Sequence, residues 1–308
     1  MQLKLLSQWQ ITNIVHDVGL FKWITERGGV IVKQLAIIAD DLTGATDTGV
    51  QFCRFGMKTI VINNVDNLPD IYNSSIWSVN MDTREAETEY ACKRVSEVVS
   101  LLMKIGFKQY YKKIDSALRG HPGAELETLM NTLGANISIV APAFPANGRY
   151  VKNGYLYISP AEKKSSCFIP DLLQSQMQLK ATHIDLNIIR SGEDRLLQEI
   201  CKKKKNGFDV LVMDSMTEED LFIIAKASQK IAEQVVLAGA AAFASQLPKV
   251  WSLNDKQNNS LLPSLSLLVA GTKNSVTKEQ VEELLRCKNV WLVKLNVNAI
   301  ISEGSESE

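Results

Sequence analysis

The densest chemistry in the chain falls in Tyr111-Lys112-Lys113-Ile114-Asp115-Ser116-Ala117-Leu118-Arg119-Gly120-His121. Two ammonium groups, a carboxylate, a hydroxyl and a guanidinium follow an apolar run, and packing does not explain them there. An anionic substrate or a phosphate does, because cations neutralise it and a carboxylate can take a proton. His121 reads as a local hydrogen-bonding residue rather than a catalyst. Ile37-Ile38-Ala39 likewise breaks into Asp40-Asp41-Leu42-Thr43-Gly44, and Trp77 to Asn80 leads to Asp82-Thr83-Arg84. A carboxylate in a Thr-Gly turn can accept a polyol hydroxyl, act as a base or merely cap the next helix. Arg84 has the fork that grips a carboxylate through two parallel hydrogen bonds, the plain alternative being a surface pair with Asp82. After Ile137 to Ala141 comes Pro142-Ala143-Phe144-Pro145-Ala146-Asn147-Gly148-Arg149, where two prolines stiffen a loop and Gly148 lets Arg149 approach a ligand. Leu267 to Ser275 repeats the pattern.

These clusters need strands to carry them and helices to follow. An apolar run that hands over to a helix N-terminus is the junction where open α/β sheets bind ligands. Strands are expected at Leu35 to Ala39, Lys58 to Ile62, Ile76 to Asn80, Gln109 to Lys112, Ile137 to Ala141, Phe208 to Met213 and Val235 to Leu237. Helices alternate with them, the first over Thr43 to Phe55 with Thr43 as its N-cap and Gly56 beyond its end. Between Glu85 and Ile105, apolar Ala91, Val95, Val98, Leu102 and Ile105 recur at helical steps until Gly106. Further helices are expected at Ala124 to Leu133, near Glu193 to Lys203, and at Glu218 to Glu233 with Thr217 as cap. The stretch between Ala141 and Glu193 reads as irregular, being rich in Pro, Gly and Ser. The fold class is therefore α/β, with a layered, mainly parallel sheet.

Residues 34–250 are expected to form that domain and 251–264, rich in Asn and Pro, a linker. A second α/β unit starts over 265–308 with a strand at Leu265 to Ala270, the turn Gly271-Thr272, a helix at Thr277 to Arg286 and a strand at Val290 to Leu295. One βαβ unit cannot cover both faces of its sheet, so this domain is expected to be incomplete. Residues 1–33 show weak periodicity and contain Arg27-Gly28-Gly29, a string that a purine-rich ribosome-binding sequence encodes. Residues before about Val32 are thus expected to be translated leader, the rival being an amphipathic extension.

Composition narrows the class. The 308 residues are 45% hydrophobic, enough for a core, and 34 basic residues balance 34 acidic ones. That balance leaves no electrostatic footprint for nucleic acid or an anionic membrane. Five scattered cysteines without a paired spacing point to a reducing cytoplasm, and three isolated histidines to no metal site. Oligomeric state is not legible.

Taken together, IADDLTGATDTGVQF, the segment from Asp82 to Arg84, YKKIDSALRGHPGAE, APAFPANGR with the following NGYLY, and AGTKNSVTKEQ resemble the four-carbon acid sugar kinase family. The likeness runs from about Leu35 to Leu295, and the branch acting on threonate and erythronate is the nearest. The resemblance implies transfer of the γ-phosphoryl group of ATP to a hydroxyl of a four-carbon sugar acid, with Mg²⁺ shielding the phosphates. It also implies an N-terminal domain for the acid and a C-terminal one for ATP. Carried over by motif, Asp41, Arg84, Lys112, Lys113, Ile114 and Asp115 would bind substrate, with Asp115 or Asp41 as base, and Arg119 and Arg149 join them as cations of the same rim. Gly271, Thr272 and Ser275 would contact nucleotide, Thr272 standing where the family usually has serine. Later glycine-rich segments of the family's ATP domain have no counterpart before Glu308, which is read as C-terminal truncation. A non-catalytic module that only binds the acid is therefore the alternative. A phosphatase of the haloacid dehalogenase type is disfavoured, since it spaces its aspartates two apart and here they are adjacent.

Overall fold

Runs such as Leu35-Ala36-Ile37-Ile38-Ala39 and Ile137-Ser138-Ile139-Val140-Ala141 offer no charged face to water, so each must be covered on both sides. The computed structural model describes residues 23–24, 30–31, 35–63, 65, 76–158, 163–231, 234–251, 270, 275–287 and 290–296. Those runs become central strands of an eight-stranded sheet, fully buried.

In chain order the elements are β1 (Leu35–Ala39), α1 (Leu42–Cys53), β2 (Thr59–Ile62), β3 (Ile76–Asn80), α2 (Thr88–Ile105), β4 (Gln109–Lys113), α3 (Pro122–Leu133) and β5 (Ile137–Ala141). Next come β6 (Arg149–Lys152), β7 (Tyr155–Ile158), β8 (Lys163–Phe168), α4 (Ile169–Gln174), β9 (Ala181–Ile184), α5 (Leu186–Arg190), α6 (Glu193–Lys205) and β10 (Val210–Met213). The series closes with α7 (Glu218–Gln229), β11 (Val235–Gly239), α8 (Ala241–Ala244), α9 (Gln246–Val250) and α10 (Ser275–Leu284). Ahead of β1, Trp23–Ile24 pairs antiparallel with Val30–Ile31; the rest of the expected leader lies outside the described residues.

The main sheet runs β9-β10-β5-β11-β4-β1-β3-β2, and every pairing in it is parallel. From β1 the chain builds β2 and β3 to one side and then crosses to place β4 on the other. That reversal opens a crevice at the carboxyl ends of β1 and β4, where ligands bind in such sheets.

Three local expectations are corrected. Helix α1 is capped by Asp41, not Thr43: the Asp41 backbone is extended and its Oδ1 accepts the Gly44 N–H at 2.7 Å, so the helix starts earlier. The stretch read as irregular folds into an antiparallel sheet β8-β7-β6, followed by α4, β9 and α5. Its turn is Asn153-Gly154, with φ of 52° and 73°, the geometry that a two-residue hairpin demands. The buried Asp214 carboxylate at the end of β10 accepts both N–H groups of that turn, at 2.6 and 2.9 Å. Residues 290–296, where a strand is expected, carry no strand among the described residues. The expected strand Leu265 to Ala270 lies outside the described residues, apart from Ala270.

The chain divides into units of Met1–Asn258 and Asn259–Glu308. Within the first, α3 follows β4 and packs against α4, where Gly123 sits against the Leu173 backbone carbonyl. Any Cβ at 123 would collide with that oxygen. Gly123→Ala is expected to destabilise the protein by about 1–3 kcal/mol, the usual cost of overpacking, as measured by urea unfolding.

Candidate functional site

Strands β3, β1 and β4 stand side by side, so the residues leaving them are brought together although they are far apart in the chain. Asp40 and Asp41 leave β1. Arg84 arrives on the turn after β3, where the N–H groups of Thr83 and Arg84 both donate to the Asp40 carbonyl, at 2.9 and 3.2 Å. Asp82 bends this turn with a φ of 53° and donates its N–H to Asn80 Oδ1.

The Arg84 guanidinium then faces three carboxylates. Nε and Nη2 grip both oxygens of Asp40 at 2.8 and 3.0 Å, and Nη1 donates to Asp41 Oδ2 at 2.6 Å. Asp115 Oδ1 lies 3.7 Å from Nη2. The surface pair with Asp82 is thus not formed; Arg84 turns inward instead. Burial lowers its pKa, and the bond to Asp40 with the charges of Asp40, Asp41 and Asp115 more than reverses this, raising it. The loop after Asp115 closes over the pair at Gly120, whose φ is 78° and whose added Cβ would stand 3.2 Å from Asp40 Oδ2.

Asp115 is held from the other side by Arg119, through Nε at 2.8 Å and Nη2 at 2.9 Å, and by the N–H of Ala117. Burial pushes the Asp115 carboxyl up, but Arg119 and Arg84 override it and hold it at about 2. The Arg119 side chain is 63% exposed, so this partner stands at the mouth of the site.

Lys113 projects toward the start of α1 and is only 5% exposed. Its Nζ donates to the Ile114 carbonyl at 3.0 Å, and among the described residues no carboxylate lies at ion-pair distance from it. Burial pulls its pKa down, while Asp40, Asp115 and Asp41 partly offset the fall. Gly44 makes room for it: an added Cβ there would stand 3.2 Å from Nζ. Asp47, one turn into α1, was not singled out by the sequence; burial raises its pKa and Lys113 opposes the rise.

Lys112 and Ile114, expected on the rim, turn their side chains into the interior, and Arg149 follows a strand that is not adjacent to β4. Lys112 alternates to the opposite face of β4 from Lys113 and is 1% exposed, paired with Glu125 of α3. Its other protons go to the carbonyls of Lys113 and Ile38, which leaves none for a ligand. The Ile114 side chain is also buried in the core, at 1% exposure. Arg149 opens β6, beyond β5, and β11 separates β5 from β4. Among the described residues no hydrogen bond or ion pair joins it to Arg84 or Asp115, and its buried Nε has no hydrogen-bond partner. In the second unit, Ser275 is exposed at the first position of α10, while Gly271 and Thr272 lie outside the described residues.

The rim does not suit a metal ion. Asp40, Asp41 and Asp115 are already bonded to Arg84 and Arg119 with Lys113 nearby, so a divalent cation would meet three protein cations. Among the described residues no group of three or more His, Cys, Asp or Glu is placed to hold one.

A family model described as a sugar-binding N-terminal domain matches residues 35–247. The D-erythronate kinase of Heliobacterium modesticaldum is 26% identical over 292 residues, covering 90% of this chain and 66% of its own. The D-threonate kinase of Salmonella typhimurium is 27% identical over 288 residues, covering 89% and 66%. A solved structure of a domain of unknown function from Bordetella bronchiseptica, a domain-swapped dimer with bound citrate, is 28% identical with a TM-score of 0.58 over 70% of this chain and 56% of that one. The chain thus spans about two thirds of the length of the two kinases. Since the matched region starts with β1, ends within α9 and encloses the whole rim, the chain belongs to the four-carbon acid sugar kinase family through its sugar-binding N-terminal domain.

Proposed function

We propose that this chain holds a four-carbon sugar acid at the rim of Arg84, Lys113 and Arg119, as the acid-binding part of an ATP-dependent kinase acting on threonate, erythronate or 3-oxo-tetronate. The observation that carries this reading is the gathering of Arg84, Asp41 and Asp115 at the reversal point of the sheet. The names of the two kinase relatives agree with it.

The donors left over by the protein's own pairs define what the rim accepts. A guanidinium has five N–H groups and an ammonium three. Arg84 spends three on Asp40 and Asp41, and Lys113 spends one on a carbonyl, so both retain protons for a substrate carboxylate. Asp41 and Asp115 offer acceptors to the hydroxyls. One of them takes the proton of the attacking hydroxyl. ATP, with Mg²⁺ on its phosphates, would supply the phosphoryl group. Scattered cysteines without a paired spacing support the reading that the protein works in the cytoplasm, and among the described residues no helix is long and apolar enough to cross a membrane.

Calorimetric titration with D-threonate, D-erythronate and 3-oxo-tetronate is expected to show binding of at least one, and binding of none would overturn the reading. Arg84→Lys, which loses the fork, is expected to weaken that binding at least about tenfold. Acid binding by this chain with no phosphate transfer from ATP and Mg²⁺ would favour the non-catalytic module. For Asp115, whose carboxyl titrates at about 2 against an ordinary 3.8, the stability it contributes is fully present above pH 3.8 and lost as pH falls through about 2. Arg119→Ala removes the main counterweight to burial, so carboxyl NMR should show the Asp115 midpoint move upward.

A further inference from the structure

Beneath the rim lies a buried unit that acid binding does not use. Lys112 of β4 and Glu125 of α3, each 1% exposed, pair through Nζ and Oε2 at 2.6 Å. The same ammonium donates to the Lys113 carbonyl at 3.0 Å and to the Ile38 carbonyl of β1 at 3.4 Å. The other carboxylate oxygen, Oε1, accepts the Thr83 hydroxyl at 2.5 Å, and Thr83 is 0% exposed. Strands β1 and β4, the turn after β3 and helix α3 therefore meet in one hydrogen-bonded cluster.

A buried ion pair adds little net stability, because desolvation offsets the attraction. What it does supply is direction. Thr83 directly precedes Arg84 in a turn that holds Asp82 in the left-handed region, so the chain there has little regular structure to locate it. Beside the N–H bonds of Met81 to the Ala39 carbonyl and of Asp82 to Asn80 Oδ1, two anchors act on Thr83 and Arg84 themselves: the Asp40 carbonyl takes their backbone N–H groups, and Glu125 takes the Thr83 side chain. The first anchor ties the turn to β1. The second ties it to α3 and, through Lys112, to β4. We infer that Glu125, acting through Thr83, is a positioning residue that holds Arg84 where its fork meets Asp40 and Asp41. The consequence for ligand rests on the acid-binding reading; the positioning itself does not.

Two readouts separate these. The Nε–H of Arg84, bonded to Asp40, is followed by hydrogen exchange in ¹⁵N NMR of the ligand-free chain, and tetronate affinity is followed by calorimetry. Thr83→Val keeps the shape but removes the hydroxyl, while Thr83→Ser keeps the hydroxyl. Thr83→Val is expected to speed Arg84 Nε–H exchange about tenfold or more and to weaken tetronate binding about ten- to a hundredfold, as for a misplaced binding group, with Thr83→Ser close to the parent in both. Thr83→Ala serves if the valine variant does not fold. Parent-like exchange in the hydroxyl-less variant, or equal loss in Thr83→Ser, would overturn the inference. If the parent chain binds no tetronate, the acid-binding reading fails while the exchange readout still decides the positioning role.

Discussion

One guanidinium makes this site possible. Asp40, Asp41 and Asp115 would repel one another at the ends of neighbouring strands, and Arg84 lies within hydrogen-bond or near ion-pair distance of all of them. With Arg119 and Lys113 added, three cations face three carboxylates. Attraction by net charge is therefore weak, and an entering anion must share donors that the protein already uses. Such a rim selects by geometry, because only a ligand that places acceptors at the remaining N–H groups and donors at the aspartates regains what it loses in water.

The sheet explains why these residues meet. Parallel strands all end on the same edge, and adjacent strands lie about 4.8 Å apart. Strands β3, β1 and β4 are consecutive in the sheet, so their trailing residues fall within a side chain's reach of one another. Arg149 shows the limit of the same rule. It follows β5, separated from β4 by β11, and its loop leads into the antiparallel sheet instead of back toward Arg84.

Much of the fold was legible because its strands are short apolar runs that need cover on both faces. Leu35–Ala39, Ile76–Asn80 and Ile137–Ala141 were read with their observed bounds, and the Thr217 cap of α7 was read correctly. The small sheet β8-β7-β6 was missed because its strands are short and β6 and β8 carry lysines, an arginine and serines, although Asn153-Gly154 and the run Tyr155–Ile158 were the available hairpin signals. For the first helix the sequence offers two caps, Thr43 and an aspartate of the adjacent pair, and only the backbone path decides for Asp41. The second unit's last segment reads as a strand from its apolar content, and apolar content alone does not make one.

At the site the division is sharper. The sequence by itself determined which chemical groups leave which strands, since apolar runs and their polar ends are local facts: Asp40 and Asp41 after one, Arg84 after another, Lys113 and Asp115 after a third. Only the tertiary structure decided their partners. It turned Arg84 away from Asp82 and onto Asp40 and Asp41, sent Lys112 into the interior against Glu125 while leaving Lys113 near the rim, and put Arg149 after a strand that is not adjacent to β4. The physical reason is that strand order and the two-residue alternation of side chains set these contacts, and strand order depends on which long-range pairings bury the most surface rather than on any neighbouring residue.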